Sequence, residues 1–263
     1  AIDLGVGSAL QWSDAFAPLA VIALPWIAPS NRELAAVVSD AGVKAQLTAA
    51  LDAVGVTLVA IAPLRHRELS TQSKVIASPE DLKGLRVRVR NARLVTDTYV
   101  ALGALPTGLS LADAQAGFAT GTLDGQDTAA VTLVGARAWA TGTRHDVEWG
   151  AFANAMVFTV RKALWQSWPE ATRAMVRDAA AKAIEAAHTT QRERAAHDEL
   201  ARYGVSMTRM TPAGHAAFRA VVESVYQAWT PKIGAPLVAA VQKAAAIAKP
   251  AADNALPKAP VAQ

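Results

Sequence analysis

The chain has 263 residues, 52% of them hydrophobic and 18% charged, with a net charge of +4 and no cysteine. A composition this apolar buries a large core, as one large domain or two modest lobes, and excludes disorder for the bulk of the chain. The missing cysteine excludes disulfides, thiolate metal sites and cysteine nucleophiles, and the scattered Lys and Arg residues form none of the concentrated basic faces that nucleic-acid partners select.

Ala1 to Gly7 reads as a strand with a glycine-rich exit, and Leu19 to Leu24 as a second buried strand ending at Pro25. The apolar run from Phe16 to Ala28 is broken by Pro18 and Pro25 and is too short to span a membrane. From Asn31 to Gly55 the apolar residues Val43, Leu47, Leu51 and Val54 recur at helical spacing, and Val56 to Ile61 returns as a strand. Ser78-Pro79-Glu80-Asp81 predicts one capped helical turn before a strand over Leu85 to Val89. A period of two in that strand sets Leu85, Val87 and Val89 on one face and Arg86, Arg88 and Arg90 on the other.

A helix over Ala92 to Leu102 and another capped by Ser110 and Asp113 follow, so the unit repeats as strand and helix, an α/β pattern. Ser167-Trp168-Pro169-Glu170 opens the longest helix, without a breaker until Gly204; roughly 35 residues at 1.5 Å each reach about 50 Å, long enough to back two lobes. The Ala- and Pro-rich tail, 249–263, is expected to be mobile.

The chain lacks HExxH, GxSxG, GxxxxGK and GxGxxG, which lowers the case for an enzyme. His66, His145, His188, His197 and His215 are scattered; only His188 and His197 share a predicted helix, at a spacing that suits no metal site. Asp124 and Asp127 in GTLDGQD are either paired carboxylates for acid–base work or, as the favoured reading, a turn cap at Asp124. The arginine strand is the most informative feature, since a guanidinium matches a carboxylate in two parallel hydrogen bonds, and Arg88 is central in it; the same pattern also suits a solvated sheet edge. Seven tryptophans supply flat pocket walls or core.

In order, SPEDLKGLRVRV, ALGALPT and LADAQAGFATGTLDGQD resemble the solute-binding proteins of tripartite ATP-independent periplasmic (TRAP) transporters. AIDLGVGSALQW, ALPWIAP and LWQSWPE are similar to further segments of that family. The resemblance implies an α/β, two-lobed periplasmic binding-protein fold with a hinge cleft and a long helix spanning both lobes. It divides the chain into a first lobe of residues 1–64 and 153–192, a second of 65–152 and 193–248, and the tail. It also implies a carboxylate clamp at Arg88 and a second arginine at Arg67, with Arg65 close enough to compete. Further ligand contacts fall on Ser8, Trp12, Asp127, Thr128 and Trp149.

The implied function is capture of a small organic acid in the periplasm and delivery to TRAP membrane subunits, by a monomer with no cofactor, no metal and no catalytic residue. A periplasmic sensor and an enzyme acting on a bound acid are the alternatives. The chain departs from the family pattern where DGQDT stands for DGQEN, and where Trp149, Gly150 and Ala151 stand where a histidine and a tyrosine are frequent. Fewer buried donors suit an aliphatic or aromatic monocarboxylate better than a sugar acid. The family's export signal and opening strand–helix–strand precede the position matched by Ala1, so either the sequence is part of a longer chain, the favoured expectation, or the first lobe is incomplete.

Overall fold

The computed structural model describes residues 3–186 and 190–248. Strand β1 (Leu4–Ser8) leads into a short helix, α1 (Ala9–Trp12), whose N-cap is Ser8. Residues Ala17–Ala23 form a buried 3₁₀ helix, not the strand expected over Leu19 to Leu24. Pro18 in its first turn presets helical φ, and a short apolar run does not distinguish buried strand from buried helix.

The helix expected from Asn31 to Gly55 is two, α2 (Asn31–Ser39) and α3 (Ala41–Ala53), because Asp40 leaves the helical region at ψ 127° and caps α3 through Val43 N. Ser30 and Glu33 close a capping box at the start of α2. Strand β2 (Val56–Pro63) and strand β3 (Arg67–Thr71) follow, separated by residues 64–66. After the expected capped turn at Pro79–Leu82 come strand β4 (Arg86–Val89), helix α4 (Arg93–Ala101), strand β5 (Leu105–Gly108), helix α5 (Leu111–Ala119) and strand β6 (Gly125–Thr128). Helix α6 (Ala130–Gly135), strand β7 (His145–Phe152) and strand β8 (Ala155–Arg161) complete the central stretch.

Helices α7 (Lys162–Ser167), α8 (Glu170–Ala186) and α9 (Thr190–Arg202) occupy the region of the expected long helix; whether α8 and α9 are continuous, and the place of His188, lie outside the described residues. Strand β9 (Ser206–Arg209) and helices α10 (Pro212–Val221), α11 (Glu223–Ile233) and α12 (Ala235–Ile247) end the described chain, and the expected mobile tail also lies outside it.

The strands form two sheets. One has the order β1-β8-β2 and is antiparallel; the other is mixed, in the order β5-β4-β6-β3-β7-β9. The chain passes from one to the other through residues 64–66 and through Ala153 and Asn154. Both crossings are short and lie side by side, with Leu64 N donating to Asn154 O at 2.9 Å. Helix α12 packs on α2, α3 and the 3₁₀ helix, elements around the three-stranded sheet. Its apolar face, with Leu237, Val238 and Val241 buried, complements Leu34, Val37, Leu47 and Leu51. Among the described residues no single helix is long and apolar enough to cross a membrane.

Two glycines allow close approaches that shape the region between the sheets. A Cβ on Gly7 would stand 2.3 Å from the Trp12 ring nitrogen, so β1 lets that indole lie against its backbone. Gly150 has φ +64° and passes so near residue 29 that a Cβ would meet Pro29 O at 2.4 Å.

Candidate functional site

In β4 the alternation expected from sequence puts Val87 and Val89 fully in the core and Arg88 on the other face. Flanked by β5 and β6, both parallel to it, β4 ends at the mouth of a cavity of about 420 Å³ between the two sheets. The carboxyl ends of parallel strands are where open α/β sheets bind ligands. Arg88, Arg90, Arg67 and Arg65 line this cavity from the six-stranded side, together with Thr128; Ser8 and Asn154 line it from the three-stranded side. Among the described residues no carboxylate side chain lines it.

Each arginine is held differently. Arg67, on β3, donates through Nε to the Asp127 carboxylate and through a terminal nitrogen to the Asp127 carbonyl, on the paired strand β6. Asp127 is fully buried and also accepts from Tyr99 Oη at 3.0 Å. Burial, reinforced by the Asp127 charge, pushes the Tyr99 phenol well above its usual range, so it stays a donor. Arg88 is fixed by Nε donating to Leu109 O at 2.9 Å, and its terminal nitrogens have no protein partner among the described residues. Burial, followed by the neighbouring charge of Arg67, pulls the Arg88 guanidinium below its ordinary value; burial and Arg67 act the same way on Arg90. Both shifts mark a cluster of cations that only Asp127 offsets, an electrostatic deficit that an anion would relieve.

Across the cavity, Ser8 Oγ donates to Asn154 Oδ1 at 2.7 Å, which leaves the Asn154 amide nitrogen as a donor beside the arginines. Arg90 donates to Gln11 Oε1 at 3.4 Å and Arg93 N to Asp14 Oδ1 at 3.0 Å, so polar contacts already join the two sides.

Of the residues expected from sequence, Arg88, Arg67, Thr128 and Ser8 come together at the cavity. Asp127 sits behind Arg67 as its buried partner and does not line the cavity. Trp12 stacks on Phe16, and neither it nor Trp149 is among the cavity-lining residues. Trp149 is wholly buried among Trp26, Tyr99, Phe152 and Phe218 and serves as core. Arg86 leaves its expected companions: it pairs with Asp124, whose carboxylate takes the Arg86 backbone N–H at 2.9 Å and Nε at 2.8 Å. Asp124 thus braces β4 in place of capping a turn at Gly125.

Sequence reasoning missed Asn154, Gln11 and Arg90 as site residues. Arg90 was legible in the β4 alternation; Asn154 stands in a two-residue crossing between sheets and carries no local pattern.

The model of the family "Bacterial extracellular solute-binding protein, family 7" matches residues 1–232. A TRAP periplasmic solute-binding protein from Ralstonia eutropha, with bound (S)-2-acetolactate, is 34% identical with a TM-score of 0.85, covering 94% of this chain and 80% of that one. One from Sulfitobacter with bound β-D-galacturonate shares the fold, at a TM-score of 0.82 and 20% identity over 92% of this chain and 81% of that one. A solute-binding protein of Roseobacter denitrificans is 29% identical over 120 residues, 44% of this chain and 35% of that protein. Another, of Verminephrobacter eiseniae, is 25% identical over 150 residues, 57% of this chain and 44% of that protein, so the match spans less than half the length of either curated relative. With the α/β fold, the two sheets and the family model in agreement over most of its length, the chain belongs to the family 7 bacterial extracellular solute-binding proteins.

Proposed function

We propose that this chain captures a small organic acid by its carboxylate in the cleft between the sheets and passes it, outside the cytoplasm, to the membrane subunits of a TRAP transporter. The observation that carries the reading is the cluster of Arg65, Arg67, Arg88 and Arg90 around a cavity with no acidic lining residue among the described residues. Arg88, anchored at Nε, presents its terminal nitrogens as a fork for two parallel hydrogen bonds to a carboxylate. Arg67, held rigid by Asp127, supplies a second positive charge, and Thr128, Asn154 and Ser8 supply polar contacts.

Val6, Leu64, Leu111 and Met156 form the apolar part of the lining, which favours a short aliphatic or an aromatic monocarboxylate over a polyhydroxylated sugar acid. The Ralstonia relative, with a short branched acid bound, supports that choice. Closure about 64–66 and 153–154 excludes water and strengthens the ion pair. On this reading the first lobe comprises residues 3–64, 153–186 and 235–247, the second 65–152 and 190–221, and α11, which touches both α4 and the 3₁₀ helix, bridges them. The protein acts as a monomer and binds without turnover.

A thermal-shift screen against short-chain, keto, dicarboxylic, sugar and aromatic acids tests it. A ligand at about a hundred times its Kd stabilises by roughly 2.7 kcal/mol. The expected result is a shift with a short monocarboxylate that disappears in Arg88→Ala, with the acid recovered unchanged. A shift that survives in Arg88→Ala relocates the anchor and overturns the assignment.

A further inference from the structure

Along β3 successive side chains point to opposite faces, so Glu68 lies behind the sheet from Arg67 and the cleft. There Glu68 of β3, Asp146 of β7 and His197 of α9 bring one carboxylate oxygen each and a ring nitrogen within 4.8 Å of one another. Asp146 is 1% exposed and Glu68 8%. Both Asp146 carboxylate oxygens and Glu68 Oε2 are buried without a hydrogen-bond partner among the described residues. Leaving such oxygens unmatched is costly, and a cation drawn in among them beside the histidine would satisfy them. The histidine is oriented: Nε2 lies 2.8 Å from Glu68 Oε1, and Nδ1 lies 3.0 Å from Glu148 Oε1. Glu148 is itself fixed by Arg209 Nε at 2.9 Å. A cavity of about 920 Å³, separate from the cleft, reaches Glu68, Glu148, Glu193 and His197 from outside.

We propose that Glu68, Asp146 and His197 bind one divalent transition-metal cation of the Zn²⁺ class. The mixed nitrogen and oxygen donors select such an ion over Ca²⁺ or Mg²⁺, which take oxygen ligands. Glu148 is the positioning residue: by accepting from Nδ1–H it directs the Nε2 lone pair toward the two ligand carboxylates, the carboxylate–histidine–metal arrangement. A proton on Nε2 bonds Glu68 in the metal-free protein; the cation replaces it and the proton leaves to solvent. Solvent from the cavity completes the coordination. The ligands come from two strands and a helix, so the ion ties α9 to β3 and β7.

The test is calorimetric titration of the chelator-stripped full chain with ZnCl₂ and, in parallel, CaCl₂, followed by thermal unfolding with each. One equivalent of Zn²⁺ is expected, with proton release and a rise in Tm that Ca²⁺ does not reproduce. His197→Gln removes that binding, and Glu148→Gln weakens it by roughly 10- to 100-fold. Asp146→Asn removes it as well; should that buried variant fail to fold, His197→Gln, on a partly exposed ring, still decides. No saturable Zn²⁺ binding, or equal binding by the wild type and His197→Gln, overturns the proposal. So does binding that is lost only in His66→Gln, since His66 lines the same cavity.

Discussion

Arg67 and Glu68 are neighbours on one strand, and their surroundings are opposite in sign. On the Arg67 side, four arginines crowd a cavity with a single buried carboxylate, Asp127, behind it. On the Glu68 side, Glu68, Asp146 and Glu148 gather about one histidine. The two-residue period of the strand is enough to keep these fields apart, since the sheet itself stands between them. Each face also pairs some of its charges internally, Arg67 with Asp127 on one side, Glu68 and Glu148 with His197 on the other, and leaves the Arg88 terminal nitrogens and the Asp146 carboxyl oxygens without a partner among the described residues. A fixed internal pair gives rigidity; the residual charge gives affinity for a guest of the opposite sign.

Breaking the internal pair on the cleft side has the largest expected effect. Asp127→Ala leaves Arg67 buried and unpaired, a loss of about 3–5 kcal/mol in urea unfolding. A loss below about 1 kcal/mol would mean that water replaces the carboxylate and that the pair contributes little. Trp149→Ala is next, at roughly 3–5 kcal/mol for emptying an aromatic site in the core, with ligand affinity retained because the indole does not line the cavity. Loss of affinity without loss of stability would return Trp149 to the site. Arg88→Ala is the converse: the free protein loses the Arg88 hydrogen bond to Leu109 O, about 1 kcal/mol, while the ligand-dependent stabilisation of roughly 2.7 kcal/mol disappears.

That contrast between Trp149 and Arg88 also shows how far the sequence could be read. Arg88 was legible because β4 alternates, which fixes the face each residue takes; which arginines of that face line the cavity is set by tertiary contacts, since Asp124 draws Arg86 away. Ser8 and Thr128 came from resemblance, and they line the cavity. Trp149 did not follow, because β7 is covered on the face where the indole lies by Trp26 and Phe218, which approach from remote parts of the chain. The 3₁₀ helix at Ala17–Ala23 was misread as a strand, since five consecutive buried residues carry no period at all. The Glu68, Asp146 and His197 group was invisible for a related reason: its members are 78 and 51 residues apart (146 − 68 and 197 − 146), and no spacing rule links two strands to a helix that reaches them only in the folded chain.

The smallest expected effect is the most direct probe of how the cleft face is held. Tyr99 is fully buried, packs on Trp149 and Phe152 at ring distances of 5.7 and 6.0 Å, and donates to Asp127 Oδ2. Tyr99→Phe keeps the ring contacts and removes one donor, so stability falls by about 1 kcal/mol. Asp127 then keeps Arg67 on Oδ1 but is free to rotate about its other oxygen, and the Arg67 guanidinium loses orientation toward the cavity. Ligand affinity accordingly falls several-fold in a calorimetric titration of the variant, although Tyr99 does not line the cavity. Zn²⁺ binding behind the sheet is unchanged, because Glu68 takes its partner from α9 and not from β6. A drop in both would show that the strand transmits strain from one face to the other, and the two fields would have to be treated as one coupled site.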